Sequence, residues 1–286
     1  MTEAETVPAR LTPYELAFGL DRFEHGVFPS IRDEAEARHV DTSVRERFLM
    51  LATVGELLRE LRPDSADLTA ATDSPLPPPD AVREYGALLF HAFRFHDRGR
   101  RLFTVAERLL RDVLQSDAAG EWRFAAPHDA GYLQLPRHLV WARIDEQAPP
   151  EAVDGFFWSV VESDGGRPGS MELLLALGMH SGRPGFSVVE AVAPLPPPAP
   201  GHWGDQSARP DGTDFANILP GGEMRDLLAV TSTTELLKLV SRLFHYIDLT
   251  PASLVPAPSA TEGDDPGHGL PASSIAATAI TDPDSL

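Results

Sequence analysis

Between residues 11 and 115 the apolar side chains recur at helical spacing. Val44, Phe48, Leu51, Leu58 and Leu61, widened by Ala52, Val54 and Leu57, form one stripe that Pro63 terminates. The prolines of "SPLPPPD" stiffen the chain ahead of a second predicted helix over about 80–95, whose first amides Asp80 can accept. A third helix is predicted to begin at Thr104, with Glu107 at the capping-box offset and Val105, Leu109, Leu110, Val113 and Leu114 on its apolar side.

After Gly120 the period changes. "EWRFAAP", "GYLQLP", "HLVWARID", "VDGFFWSVVES", "SMELLLALGM" and "FSVVEAVAP" are short runs rich in Val, Phe, Trp and Leu, divided by Pro, Gly and Asp. They read as an antiparallel meander. In 153–161 Val153, Phe157 and Val161 fall on one face and Phe156, Trp158 and Val160 on the other, so both faces are expected to be buried. The early helices can cover one face. A last helix over about 234–247, carrying Leu236, Leu237, Leu239, Val240, Leu243 and Phe244, can cover the other or close an edge. Pro136 cannot donate to a sheet ladder, so it separates a short strand, 132–135, from a longer one, 138–144.

The predicted fold class is α+β, an N-terminal helical layer followed by an antiparallel meander and a C-terminal helix. Residues 1–10 read as a flexible start and 11–250 as one domain. Within it 11–118 is mainly helical, 119–195 forms the sheet, 196–222 is a Pro/Gly-rich loop and 223–250 is helical. Residues 251–286 hold six prolines, five acidic residues and neither Lys, Arg nor an aromatic ring, so they are expected to be a disordered tail.

Composition narrows the function classes. The chain has 286 residues and no cysteine, which removes disulfides, thiolate metal sites and cysteine nucleophiles. The polar start "MTEAETVPAR" and the lack of an apolar run near ~20 residues point to a cytoplasmic protein outside the membrane. A formal net charge of −19 disfavours nucleic acid as a default partner. Lys238 is the single lysine among 24 basic residues, so arginine richness reflects overall composition and a lone arginine says little.

The densest polar stretch is "HAFRFHDRGRR". It supplies His91, Arg94, His96, Arg98, Arg100 and Arg101 as a candidate interaction surface, to which Arg137 and His138 at a strand mouth are added. His91 and His96 are five apart and do not share the face that a metal pair at i, i+4 requires. Ser170 and Ser181 lie near glycines but outside the G-x-S-x-G frame of a nucleophile elbow, and "EGDDPGHG" lacks calcium-loop spacing. No cofactor or metal motif emerges.

The order of elements carries a resemblance. "RLFTVAERLLRDVLQ", then "GYLQLPRHLVWARI", then "VDGFFWSVVES" and a further hydrophobic strand resemble the type V-A anti-CRISPR family that suppresses production of the CRISPR effector nuclease. The matching points are Phe103, Leu109, Leu110, Leu135, Pro136, Val140, Trp141, Gly155 and Phe156, within about 85–195. The resemblance implies a non-enzymatic protein that recognises a partner polypeptide emerging from the ribosome and lowers its level. The family ends in a basic arm where this chain ends acidic. Two further readings stand beside it: a hydrolase using His96 or His138, and an RNA-binding protein using the Arg94 to Arg101 cluster.

Overall fold

The computed structural model describes residues 8–18, 20–60, 81–115, 126–137, 139–142, 149–161, 169–179, 186–195, 228–230, 233–258 and 272–282. The predicted 196–222 loop lies outside them. The elements run α1 (Pro13–Phe18), α2 (Leu20–Arg22), a π-helical turn (Phe23–Val27), α3 (Phe28–Ala37), α4 (Arg45–Leu49), α5 (Ala52–Glu60) and α6 (Ala81–Asp97). There follow β1 (Leu102–Val105), α7 (Glu107–Gln115), β2 (Ala130–Gln134), β3 (Val140–Ala142), β4 (Glu151–Val161), β5 (Gly169–Leu177) and β6 (Ser187–Leu195). The last are β7 (Leu228–Val230), α8 (Thr233–Leu249), β8 (Leu254–Pro256) and β9 (Ala277–Ile280).

Among the described residues the strands form one mixed, mostly antiparallel sheet in the order β6-β5-β4-β2-β1-β9-β8, with β3 paired to the start of β4 and β7 paired to β3. The β4-β5-β6 meander is antiparallel, whereas β1 runs parallel to both β2 and β9. Both faces are covered. On one, Leu133, Phe156, Trp158 and Leu173 pack with Leu110 of α7 and Leu243 and Phe244 of α8. On the other, Tyr132, Phe157 and Leu174 meet Phe90, Phe93 and Phe95 of α6 and the aromatic side chains of α1 and α3.

Four sequence expectations are corrected. Thr104 does not cap a helix: it is buried within β1, and α7 starts at Glu107, so a strand lies inside the region read as mainly helical. The stripe from Val44 to Leu61 is not one helix. It breaks at Met50, and the Glu34 carboxylate accepts the Ala52 and Thr53 amides (2.7 and 2.9 Å) to cap α5 from another helix. Burial opposes ionisation of Glu34, but those amides and Arg38 hold its pKa down to about 2. Val153 packs in the same core as Phe156, not with Phe157, because a bulge between Val153 and Gly155 inserts Asp154 and shifts the alternation.

The fourth correction concerns the termini. Part of the predicted disordered tail is sheet: β9 joins β1, β8 joins β9, and Ile275, Ala279 and Ile280 are buried. A short apolar run can order when it completes a sheet whose face is already covered, which composition averaged over 36 residues conceals. Arg10, assigned to a flexible start, bridges antiparallel to Ala272 and is buried.

The π-helical turn has a local cause. Pro29 lacks an amide hydrogen and its ring crowds the carbonyl four residues back, so the ladder widens by one residue. Ser30 Oγ donates to the Gly26 carbonyl (2.9 Å). Gly155 has a different role. A Cβ there would collide with the Leu133 carbonyl oxygen and approach the Tyr132 ring, so β2 and β4 can come together only over a glycine.

Candidate functional site

Helix α6 carries three of the eight sequence-predicted residues and leads directly to three more, and it divides them. His91 and Arg94 face the sheet and are 1% and 2% exposed, which corrects the expectation that they stand on the surface. The helical spacing of apolar Leu88, Ala92 and Phe95 rotates that flank inward, which the charge of the segment does not reveal. Arg98, Arg100 and Arg101 lie exposed at the turn after α6. Arg137 is half-buried beyond β2, and His138 lies outside the described residues.

The turn is rigid. The Gly99 amide donates to the His96 carbonyl (3.1 Å) and the Arg100 amide to Phe95 (2.8 Å), closing the helix end. Gly99 and Arg100 both have left-handed backbone, at φ 83° and 54°. For arginine that conformation is strained and persists because neighbours fix it. Arg100 pairs with Glu24 of the π-helical turn (3.0 Å), and Arg98 with Asp129 (3.6 Å).

His96 sits behind the turn in a chain of polar contacts. The Tyr14 hydroxyl donates to Glu24 (2.6 Å) and lies 3.1 Å from His96 Nδ1. Tyr14 has a single proton, so its oxygen accepts from His96 Nδ1–H and leaves Nε2 as the unprotonated nitrogen. Burial, followed by the bond to Glu24, raises the Tyr14 pKa far above its ordinary value. Burial lowers that of His96, against the attraction of Glu24. Tyr14 and Glu24 carry no sequence signal, because 82 positions separate Tyr14 from His96.

The inward flank is equally polar. His91 Nδ1 lies 3.2 Å from Ser159 Oγ on β4, and Glu172 on β5 is the cross-strand neighbour of Ser159. Burial, with help from Arg45 and Arg94, lowers the His91 pKa to about 3, which makes it a poor base near neutrality. Burial raises Glu172 to about 7; Glu46 and Glu190 add to this while Arg45 and Arg94 oppose it. Glu190 pairs with Arg45 of α4. One signal could have found Glu172: it is a carboxylate on the strand face that also holds Leu174.

A second buried cluster surrounds the bulge. Asp154, fully buried, accepts from Arg10 Nη2 (2.9 Å) and from the Tyr132 hydroxyl (2.5 Å). The Gln134 amide accepts the Arg10 amide hydrogen (2.8 Å) and donates to its carbonyl (3.1 Å), so the chain start is fixed to β2. The Asp-Gly pair inside an apolar strand is the sequence mark of this bulge.

Among the described residues no three His, Asp or Glu side chains gather as metal ligands, and no helix is long and apolar enough to cross a membrane. What the fold and this site define is an α+β protein with a mostly antiparallel sheet and a basic turn at the end of its central helix. Comparison with protein-family models and with curated proteins gives no match.

Proposed function

We propose that this chain is a non-catalytic regulator that binds a partner polypeptide, acting as its resemblance to the type V-A anti-CRISPR family implies. The observation that supports this reading is the turn at 98–101, where exposed guanidinium groups stand on a fixed backbone. Arg98 and Arg100 keep 45% and 43% of their side chains accessible although each meets one carboxylate. A guanidinium has five donors in a planar fork, so one partner leaves capacity for another. Because the backbone is already ordered, less freedom is lost on binding. On a chain with net charge −19 such a turn complements an acidic segment of a partner and opposes the long-range field elsewhere.

The test is co-expression with a type V-A effector nuclease and immunoblotting of the nuclease. The wild-type chain should lower its amount, and the triple reversal R98E/R100E/R101E should restore it while circular dichroism shows an unchanged fold. An unaltered nuclease level with the wild-type chain overturns the anti-CRISPR reading. Equal activity of the reversed variant overturns the assignment to this turn.

A further inference from the structure

Arg94 is a buried cation whose bonds do not account for it. Its Nη2 donates to the Val160 carbonyl at 3.4 Å, the long end of the hydrogen-bond range, and its Nε has no partner. Among the described residues it forms no ion pair, and Asp97, Asp129 and Asp41 act on it only at longer range. A guanidinium stays charged at any physiological pH, and a buried charge without close compensation is costly. The Nε–Nη2 edge is the side on which arginine grips a carboxylate with two parallel bonds.

A second orphan lies nearby. Glu172 Oε2 is buried without a partner, and Glu172 stands opposite Ser159 across the β4–β5 ladder. Ser159 meets His91, one turn before Arg94 on α6. Arg45 and Glu46 of α4, Glu190 of β6 and Arg94 of α6 are the charged groups that act on Glu172. Two buried polar atoms without partners in one neighbourhood call for a polar occupant.

We propose that a small carboxylate-type oxyanion binds on the Nε–Nη2 edge of Arg94, beside Ser159 and Glu172. The anion supplies the charge that Arg94 lacks, and it is favoured when Glu172 is protonated, since the neutral acid no longer repels it and can donate to it. Burial already brings Glu172 to about 7, so binding takes up a proton near neutral pH.

Calorimetric titration of the full chain with sodium acetate at pH 6.5 and 8.0 tests this. The expected result is saturable one-to-one binding, tighter at the lower pH. R94K keeps the charge but loses the planar fork, and should weaken binding by about tenfold or more. E172Q should bind acetate with equal affinity at both pH values, a result that does not depend on how well an Arg94 variant folds. Lack of saturable heat at both pH values, binding indifferent to R94K, or an unchanged pH dependence in E172Q each overturns the proposal. Titration with a short peptide bearing a free C-terminal carboxylate, and with its amide, identifies the source. Preference for the free peptide over acetate assigns a chain end, and preference for acetate assigns a free small acid; both support the site.

Discussion

The two faces of one sheet differ in chemistry although they share the same strands. Beneath α7 and α8, Leu133, Phe156, Trp158 and Leu173 meet Leu110, Leu243 and Phe244. Beneath the N-terminal helices, Tyr132 and Phe157 share their side with Ser159, Gln134 and Glu172, and with Arg10, His91, Arg94 and Asp154, the four buried Arg, His and Asp side chains among the described residues. Apolar burial is non-directional and needs only volume and packing, whereas a buried charge needs particular atoms at particular distances. The first face is therefore scaffold, and the second is where a recognition site can be built.

Asp154→Ala separates the faces most sharply. It strands Arg10, Tyr132 and Gln134 in the core, and chemical denaturation should report a loss of about 3–5 kcal/mol. Leu243→Ala on the apolar face should cost about 2–5 kcal/mol and do so equally at pH 5 and pH 8, since among the described residues no Arg, Lys, His, Asp or Glu side chain is buried in that core. Should the Leu243 effect vary with pH, the proposed division of chemistry between the faces is wrong.

Glu172→Gln gives a smaller effect of opposite sign. The folded pKa is raised from 4.5 to about 7, so the unfolded chain releases its proton first and stability falls as pH rises between those values. Below pH 4.5 both states are protonated and the penalty is absent. Glutamine removes the penalty, so the variant should be about 1–2 kcal/mol more stable than wild type at pH 8 and equal to it at pH 4, read from urea midpoints. Smallest of all, Arg22→Ala breaks a pair with Glu60 at 3.6 Å in which both side chains are more than half exposed. Its midpoint should move by no more than about 0.5 kcal/mol, which marks the contrast between charges in water and charges in the core.

Some of this was legible in the residues. The apolar content of 153–161 on both faces announced a covered sheet, and the spacing in 80–95 announced α6. The predicted helix stops just short of Arg98, Arg100 and Arg101, which lie exposed in the turn that follows it. His91 and Arg94 were read as surface because a charged run looks the same whichever way its helix is rotated. Tyr14, Glu24, Asp154 and Glu172 were not identified as site residues, since their partners come from elements far away in the chain.

The sequence by itself determined the main layers: periodicity of 3.6 or 2 is a local property, and it marked α6, the β4–β6 meander and α8, but not β1 or the inward turn of His91 and Arg94. Which strand lies beside which was decided only in three dimensions. The last short strand pairs with β1, each residue with one 175 positions earlier in the chain, and a single inserted residue at Asp154 turns one side chain into the buried polar cluster. Such pairings depend on how separate surfaces complement one another once packed, and a local pattern holds no record of its distant partner.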